Sequence, residues 1–444
     1  MTAVDTTGQD DAISRARRLI GEIDTVTDAV DALYRDLHQH PELSQSEEQT
    51  SAKVAARLEA AGLEVTSGVG GFGVVGLLRN GDGPVVALRG DMDALPIREE
   101  TGLPYASQVS VTREDDSTVG VMHACGHDLH TACLVGTAEL LAAHRDAWGG
   151  TVFILAQPAE ETISGAAAML ADGLFARFPR PDVVLGQHAM HARAQMVLHR
   201  PDAFLAASRN LEIRIFGKGG HGSSPHVTID PVLMAAQVVV ALQAVVSREV
   251  SPNQPAVVTV GSIHGGTRYN IVPAEVTLQV TTRGLSEPVM DQIQAAIERI
   301  VKGVCAAARA PQEPQVIVRE QTYATVNDPA TTARVRAVHE ALFGGDVVSY
   351  PEVIMGSEDF ALYGMPGPGR YDGPAIPTVF WFVGTVAADR WDAAPGTQLL
   401  DKLAEFPGPH TPHFAPDRMA SLRRGLEALT AGALAYLDGP AGSE

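Results

Sequence analysis

"GTVFILAQPAEE", Gly150–Glu161, is an uninterrupted apolar run, bounded by glycine and proline, that finishes in two adjacent carboxylates. A strand with one wet face alternates apolar and polar residues. A continuous run instead marks a strand buried on both faces, the pattern of a parallel sheet covered by helices. "PDVVLGQH", Pro181–His188, repeats the design and closes on His188, while "PVVALRGDMD", Pro84–Asp93, ends in Asp91 and Asp93. In such sheets ligands bind beyond the carboxyl ends of the strands. Three strands that each end in Asp, Glu or His therefore predict one convergent site.

The rest of the chain fits an α/β protein with a central mixed, mostly parallel sheet and helices on both faces. At 444 residues and 45% hydrophobic content it is long enough for two domains, and the 5% aromatic share favours close-packed helices on a sheet over a β-sandwich. The pattern is helical from Ile13 to about Leu63, with a break at "HQHPEL", His38–Leu43. Two strands then flank the turn Asn80–Gly83, whose glycines suit a hairpin. Between Ala206 and Thr322 strands and helices follow in the order β-α-β-β-α-β, an inserted α+β ferredoxin-like domain. The boundaries are thus 1–205 and 323–444 for the first domain and 206–322 for the insertion. "VLMAAQVVVALQAVV", Val232–Val246, falls short of the ~20 apolar residues a bilayer requires and reads as a buried helix.

A net charge of −20 repels phosphate backbones and anionic lipid, so neither nucleic acid nor a membrane is an expected partner. The three cysteines, Cys125, Cys133 and Cys305, are too few for a disulfide framework. With no apolar leader at Met1, a cytoplasmic protein is the expectation.

"MHACGHDLHT", Met122–Thr131, concentrates the chemistry. Cys125 and His127 stand two apart and point the same way in an extended loop, as ligands for a zinc-like ion would. A helix starting near Asp128 would place its positive end by Cys125 and favour the thiolate. Glu160 and Glu161 repel each other unless a cation is present; one can ligate while the other takes the proton of an attacking water. His188 is a further donor. A nucleophilic Cys125, served by His123, His127 or Asp128, stays open at this point, although it leaves Glu160, Glu161 and His188 without a role.

From about Leu33 to the C-terminal helix the chain resembles the M20 metallopeptidase superfamily, in its amidohydrolase branch of hippurate hydrolases, aminoacylases and auxin-conjugate hydrolases. The resemblance is carried in order by "HQHPELSQSEEQT", "RGDMDALPI", "MHACGHDLHT", "QPAEE", "GQHAMH", "GKGGHGSSPH", "GTRYNIVP", "MGSEDFALY" and "HTPHF". It implies two divalent metal ions, Zn or Mn, held by Cys125, His127, Glu161, His188 and His410, with Glu160 as general base. It further implies a homodimer formed through the inserted domain. His221 would then stabilise an oxyanion in the partner's site, and Asn270 would contact substrate. Asp93 matches an orienting carboxylate, and Asp128 would orient a ligand or cap its helix. The implied substrate is a small N-acyl amino acid; a dipeptidase or carboxypeptidase, and a non-catalytic dimeric binding protein, are the alternatives. His191, His413 and the extra stretch Val111–Val119 depart from the family pattern.

Overall fold

The structure, a computed structural model, describes residues 6–112 and 116–439. Gly150–Gln157 is buried along its whole length inside an eight-stranded sheet. The strand order is Glu64–Val69, Gly73–Asn80, Gly150–Gln157, Val85–Asp91, Val183–Arg193, Thr378–Val386, Val197–His199, Val347–Ser349. The middle of the sheet is parallel, from Gly150–Gln157 through Val85–Asp91 and Val183–Arg193 to Thr378–Val386. Antiparallel partners flank it on both sides.

Two sequence expectations about the sheet are corrected. The strands around Asn80–Gly83 are not paired with each other: Gly150–Gln157 lies between them, antiparallel to one and parallel to the other. A strand apolar on both faces needs a neighbour at each edge, and this interior slot provides both. Nor does His188 end its strand, which continues to Arg193 alongside Thr378–Val386. On its other edge the pairing with Val85–Asp91 stops at Gly186, so His188 still lies just past the end of that neighbour.

Helices flank the sheet. The helical stretch expected at the start has a second break, at Gly21–Ile23, and forms Thr6–Ile20, Asp24–Gln39 and Glu48–Ala60. Helix His127–Ala143 is buried nearly all round, against helices Asp24–Gln39 and Arg418–Leu434. Gly136 permits that approach: a Cβ there would lie 2.4 Å from Val30 Cγ2 and 2.6 Å from Leu426 Cδ2. In the extra stretch, Ser110–Thr112 pairs with Thr118–Gly120, while 113–115 lie outside the described residues, as do the first and last five positions of the chain.

The chain forms two compact units, one of Met1–Asp202, Val326–Pro351 and Leu362–Glu444, the other of Ala203–Thr325 and Glu352–Ala361. The second is a four-stranded antiparallel sheet, in the order Ala256–His264, Glu275–Gly284, Ala207–Phe216, Gln315–Thr322. Leu211, Ile213 and Ile215 alternate along one strand and Val276, Leu278 and Val280 along its neighbour, forming a core with helices Pro231–Ala244 and Glu287–Ala307. Asp230 caps the first helix, accepting from Val232 N at 2.8 Å. That helix is not the buried element expected. Met234, Ala235, Val238 and Leu242 are covered, but Val232, Leu233 and Val240 are exposed, because a sheet covers only one side of a helix that is apolar all round. With its π-helical continuation it spans 19 residues, Pro231–Glu249, long and apolar enough to cross a membrane by length and composition alone.

Gly136→Val forces two branched side chains apart and should destabilise the first unit by about 2 kcal/mol. Urea denaturation checks this; an unchanged midpoint would show that the three helices can separate without cost.

Candidate metal centre

Backbone turns that few residues tolerate deliver the polar side chains. Gly126 separates Cys125 from His127 at φ 85°, and a Cβ there would sit 2.8 Å from the Ala189 Cβ. Ala159 is left-handed at φ 52°, its N–H held by Glu47 Oε1 at 2.8 Å and its carbonyl accepting from Ser164 and Gly165, which projects Glu160 and Glu161 off the strand end. His410, also left-handed at φ 64°, donates its N–H to Ala124 O at 2.8 Å, bringing the C-terminal loop beside Cys125. Non-glycine residues hold this conformation only when their surroundings impose it.

These turns gather Cys125, His127, Glu160, Glu161, His188 and His410. Cys125 Sγ lies 3.4 Å from His188 Nε2 and 3.2 Å from His410 Nε2. Glu161 Oε1 is 3.3 Å from His410 Nε2 and 3.8 Å from His127 Nε2, with Glu160 Oε2 3.9 Å from the same nitrogen. The donors fall into overlapping triads: Cys125, His127 and His188; Cys125, Glu161 and His410; His127, Glu160 and Glu161. Cys125, His127 and Glu161 each belong to two of them, so the triads interlock into one cluster.

Hydrogen bonds set which ring nitrogens face inward. His188 Nδ1 donates to the Ala189 carbonyl at 2.7 Å and His127 Nδ1 to Asp93 Oδ1 at 3.2 Å, so both present Nε2 to the cluster. Asp93 Oδ2 accepts from Ser44 Oγ at 2.6 Å and from the N–H of Glu161 at 2.9 Å, tying His127 to Glu161. Asp91 accepts from Arg89 at 2.6 Å and from His130 Nδ1 at 2.5 Å, while His130 Nε2 takes the N–H of Ala189. His130 is thereby saturated and braces the strand that carries His188.

The donor set fits divalent metal. His127 Nε2 and Glu161 Oε1 are buried and find no hydrogen-bond partner among the described residues, although each faces other lone-pair donors. Burial opposes a charge on His127, yet Asp91, Asp93 and Glu161 raise its pKa to about 10. Burial, with Glu161, Glu160 and Asp91, also pushes the Cys125 thiol well above its usual range. The expected help from the helix N-terminus is thus outweighed by burial and the nearby carboxylates. A pocket that favours a proton on both groups is a pocket built to attract positive charge, and a divalent cation reverses both preferences.

Residues 87–390 match Peptidase family M20/M25/M40. The chain belongs to this family. Among its M20 relatives, thermostable carboxypeptidase 1 of Saccharolobus solfataricus is 36% identical over 80% of this chain and 87% of its own length. Hippurate hydrolase of Campylobacter jejuni is 35% identical over 78% and 87%. The solved structure of a dinuclear metal-binding M20 peptidase from Bacillus subtilis superposes with a TM-score of 0.71 at 28% identity, covering 93% of this chain and 98% of that one. The chain is accordingly a metal-dependent hydrolase of the M20 amidohydrolase and peptidase group.

Other residues of this M20 chain stand around the cluster. Asp128 accepts from the N–H of Leu129 at 2.9 Å and from His38 Nδ1 at 2.7 Å, so its carboxylate is spent on the helix start and on His38. The ring of His191 packs on Gly408, and His413 Nδ1 donates to Glu100 O at 3.1 Å; among the described residues neither joins a ligand triad. In the second unit His221 and Ile271 pair on a short ribbon, and Gly222 donates to Asn270 O at 2.8 Å, so His221 and Asn270 are neighbours. Both are exposed.

Sequence reasoning missed Arg89, Gln157, Tyr363, His38 and Glu99. The buried Arg89 donates to Gln157 Oε1 at 2.9 Å, which also accepts from Tyr363 at 2.9 Å. The available signal was a cation inside an apolar strand, two residues before Asp91. His38 extends the buried stripe Val30, Tyr34 of its helix, and a titratable group on such a stripe calls for buried partners. It finds two: besides Asp128, its Nε2 donates to Glu99 Oε1 at 3.1 Å.

Burial alone would lower the His38 pKa, but the two carboxylates raise it from 6.5 to about 9. A raised folded-state pKa means that the stabilisation is complete below about pH 6.5 and is lost as pH climbs through about 9, on the order of 3 kcal/mol. Denaturation midpoints measured from pH 6 to 10 should decline across that window, and decline less in His38→Gln, where only His127 still contributes a raised imidazole pKa. A wild type with no alkaline decline would remove the charged His38.

Proposed function

We propose that the protein hydrolyses the amide bond of N-acyl amino acids, releasing a carboxylic acid and a free amino acid. The observation that carries this reading is the pair of donor triads sharing Cys125, with Glu160 and Glu161 beside them. The hippurate hydrolase relative supports a small N-acyl amino acid as substrate. Cys125, His127, Glu161, His188 and His410 would hold two zinc or manganese ions, which when bound would supply Lewis acidity toward the substrate carbonyl and toward a water.

The chain's own residues do the rest. Asp93 keeps His127 and Glu161 in register, holding one through Nδ1 and the other through its N–H. Glu160 takes the proton of the attacking water as its oxygen bonds to the acyl carbon. It returns that proton to the amine nitrogen as the C–N bond breaks. His221, from a second copy of the chain, donates to the oxyanion. Its Nδ1 lies 2.7 Å from Ser223 Oγ and 3.1 Å from the donating N–H of Ser223, which leaves the proton on the exposed Nε2. Asn270, its neighbour, is the substrate contact.

The second copy docks on the inserted domain. Helix Pro231–Ala244 exposes Val232, Leu233 and Val240, and the edge strand Ala256–His264 exposes Ile263. An apolar helix beside an open strand edge is a surface that a symmetric partner covers. A carboxypeptidase is the second reading, favoured by the relative at 36% identity over 367 residues.

Glu160→Gln should lower kcat by about 10² to 10⁴ with metal content unchanged. His221→Ala should lower it by about 10² to 10³, again with metal retained. Near-normal turnover in either variant excludes the corresponding role. Benzoyl- and acetyl-amino acids assayed against dipeptides and longer peptides separate the two substrate readings. Leu233→Asp with Val240→Asp should yield monomers by sedimentation and lose turnover as His221→Ala does; an active monomer excludes the contribution from a second copy.

A further inference from the structure

We propose that His38 is a positioning residue for the metal centre, a buried charged clasp that holds together two chain segments bearing metal ligands. The proposal rests on the metal-centre reading above, and it concerns a side chain that touches none of the ligands.

The clasp is assembled from three side chains, each at most 1% exposed: His38 donates to Asp128 Oδ2 at 2.7 Å and to Glu99 Oε1 at 3.1 Å. Asp128 follows His127 directly and is fixed to the first helical turn by the N–H of Leu129. Glu99 organises the opposite wall. Its Oε2 accepts from the N–H of Ser107 at 2.6 Å and its Oε1 from the hydroxyl of Thr101, closing the loop between them. The next residue, Glu100, donates its N–H to Pro412 O at 2.8 Å and accepts at its own carbonyl from His413. Pro412 lies two residues after His410. One imidazole therefore links the segment of Cys125 and His127 to the segment of His410.

A neutral imidazole has one N–H and can serve only one of these carboxylates. Serving both requires the imidazolium. The pKa of about 9 agrees with that requirement. The groups facing His38 are Asp128, Glu99, the ring of Tyr34 on its own helix, and the ring of Tyr105 at 5.3 Å between centroids. Arg418 stacks on Tyr105, 5.5 Å from its ring centroid, and is itself paired with Asp31. His123 lies in the same field and is held neutral by burial, its pKa down at about 4.

The test is Mn²⁺ binding, read from the EPR signal of the free ion, in the full-length metal-stripped protein under argon and below the melting temperature of each variant. His38→Gln and Glu99→Gln should weaken Mn²⁺ binding by about 10- to 100-fold. Glu99→Gln leaves the His38–Asp128 bond in place and guards against a His38 variant that does not fold. Glu139→Ala is the control for lost stability: it removes both bonds from Arg57, at 2.7 and 2.8 Å, and should leave Mn²⁺ affinity within about twofold. Measured from pH 7 to 10, the ratio of wild-type to His38→Gln affinity should shrink as pH passes about 9 and the wild-type clasp loses its proton; ligand titration is common to both proteins and cancels. Wild-type affinity in both variants, or an equal loss in the control, overturns the clasp while leaving the metal centre intact. A wild type that binds no Mn²⁺ and no Zn²⁺ overturns the metal centre and the clasp together.

Discussion

Carboxylates gathered out of water constrain the rest of this structure. Asp91, Asp93, Glu47 and Glu160 are buried at one edge of the sheet, with Glu161 alongside. Each would be costly alone, and each has its own compensation. The guanidinium of Arg89 and the neighbouring imidazoles hold Asp91 well below the usual carboxylate range against its burial. Hydrogen bonds from His127 and Ser44 lower the Asp93 pKa against its burial. Glu47 is left with its pKa raised by burial, partly relieved by the N–H of Ala159. Glu161 Oε1 and His127 Nε2 find no hydrogen-bond partner among the described residues, and these two facing donors mark where a cation belongs.

The same accounting explains why the site is distributed. A parallel sheet brings strand ends together, but it does not supply cations to them. Arg89 reaches Asp91 from within its own strand, His130 comes from a helix, and the His410 loop arrives from near the end of the described chain. Helix His127–Ala143 serves twice, placing His127 at its start and Gly136 where two further helices close over it.

Much of this was legible in the sequence, and for identifiable reasons. Continuous apolar runs marked the central strands because burial on both faces leaves no alternation. The candidate ligands stood out because each sits in a short stretch crowded with Cys, His or Glu. Pairing between strands was less legible: Asn80–Gly83 has hairpin chemistry, yet on the side where Val85–Asp91 was expected Gly73–Asn80 pairs with a strand 70 residues later, Asn80 opposite Gly150. The supporting residues were least legible. His38 meets Asp128 across 90 positions and Arg89 meets Gln157 across 68, and no local pattern encodes such a meeting. The exposed side of helix Pro231–Ala244 was misread because composition reports how apolar a helix is, not how many of its sides have partners.

The pinning of helix His127–Ala143 by Arg418–Leu434 has a consequence for how the molecule comes to exist. Cys133 donates to the carbonyl of Leu422 across 289 residues, and a complete inserted domain lies between them in the chain. During synthesis the thiol and imidazoles of the metal loop therefore emerge long before the helix that fixes them. The inserted unit has all of its sheet partners within a single stretch and can fold first; the unit that carries the metal loop must wait. Contacts closed over such separations form slowly and leave apolar surface open meanwhile. For that interval Cys125, His127 and His188 exist without His410, which the finished fold brings to 3.2 Å from the Cys125 sulfur.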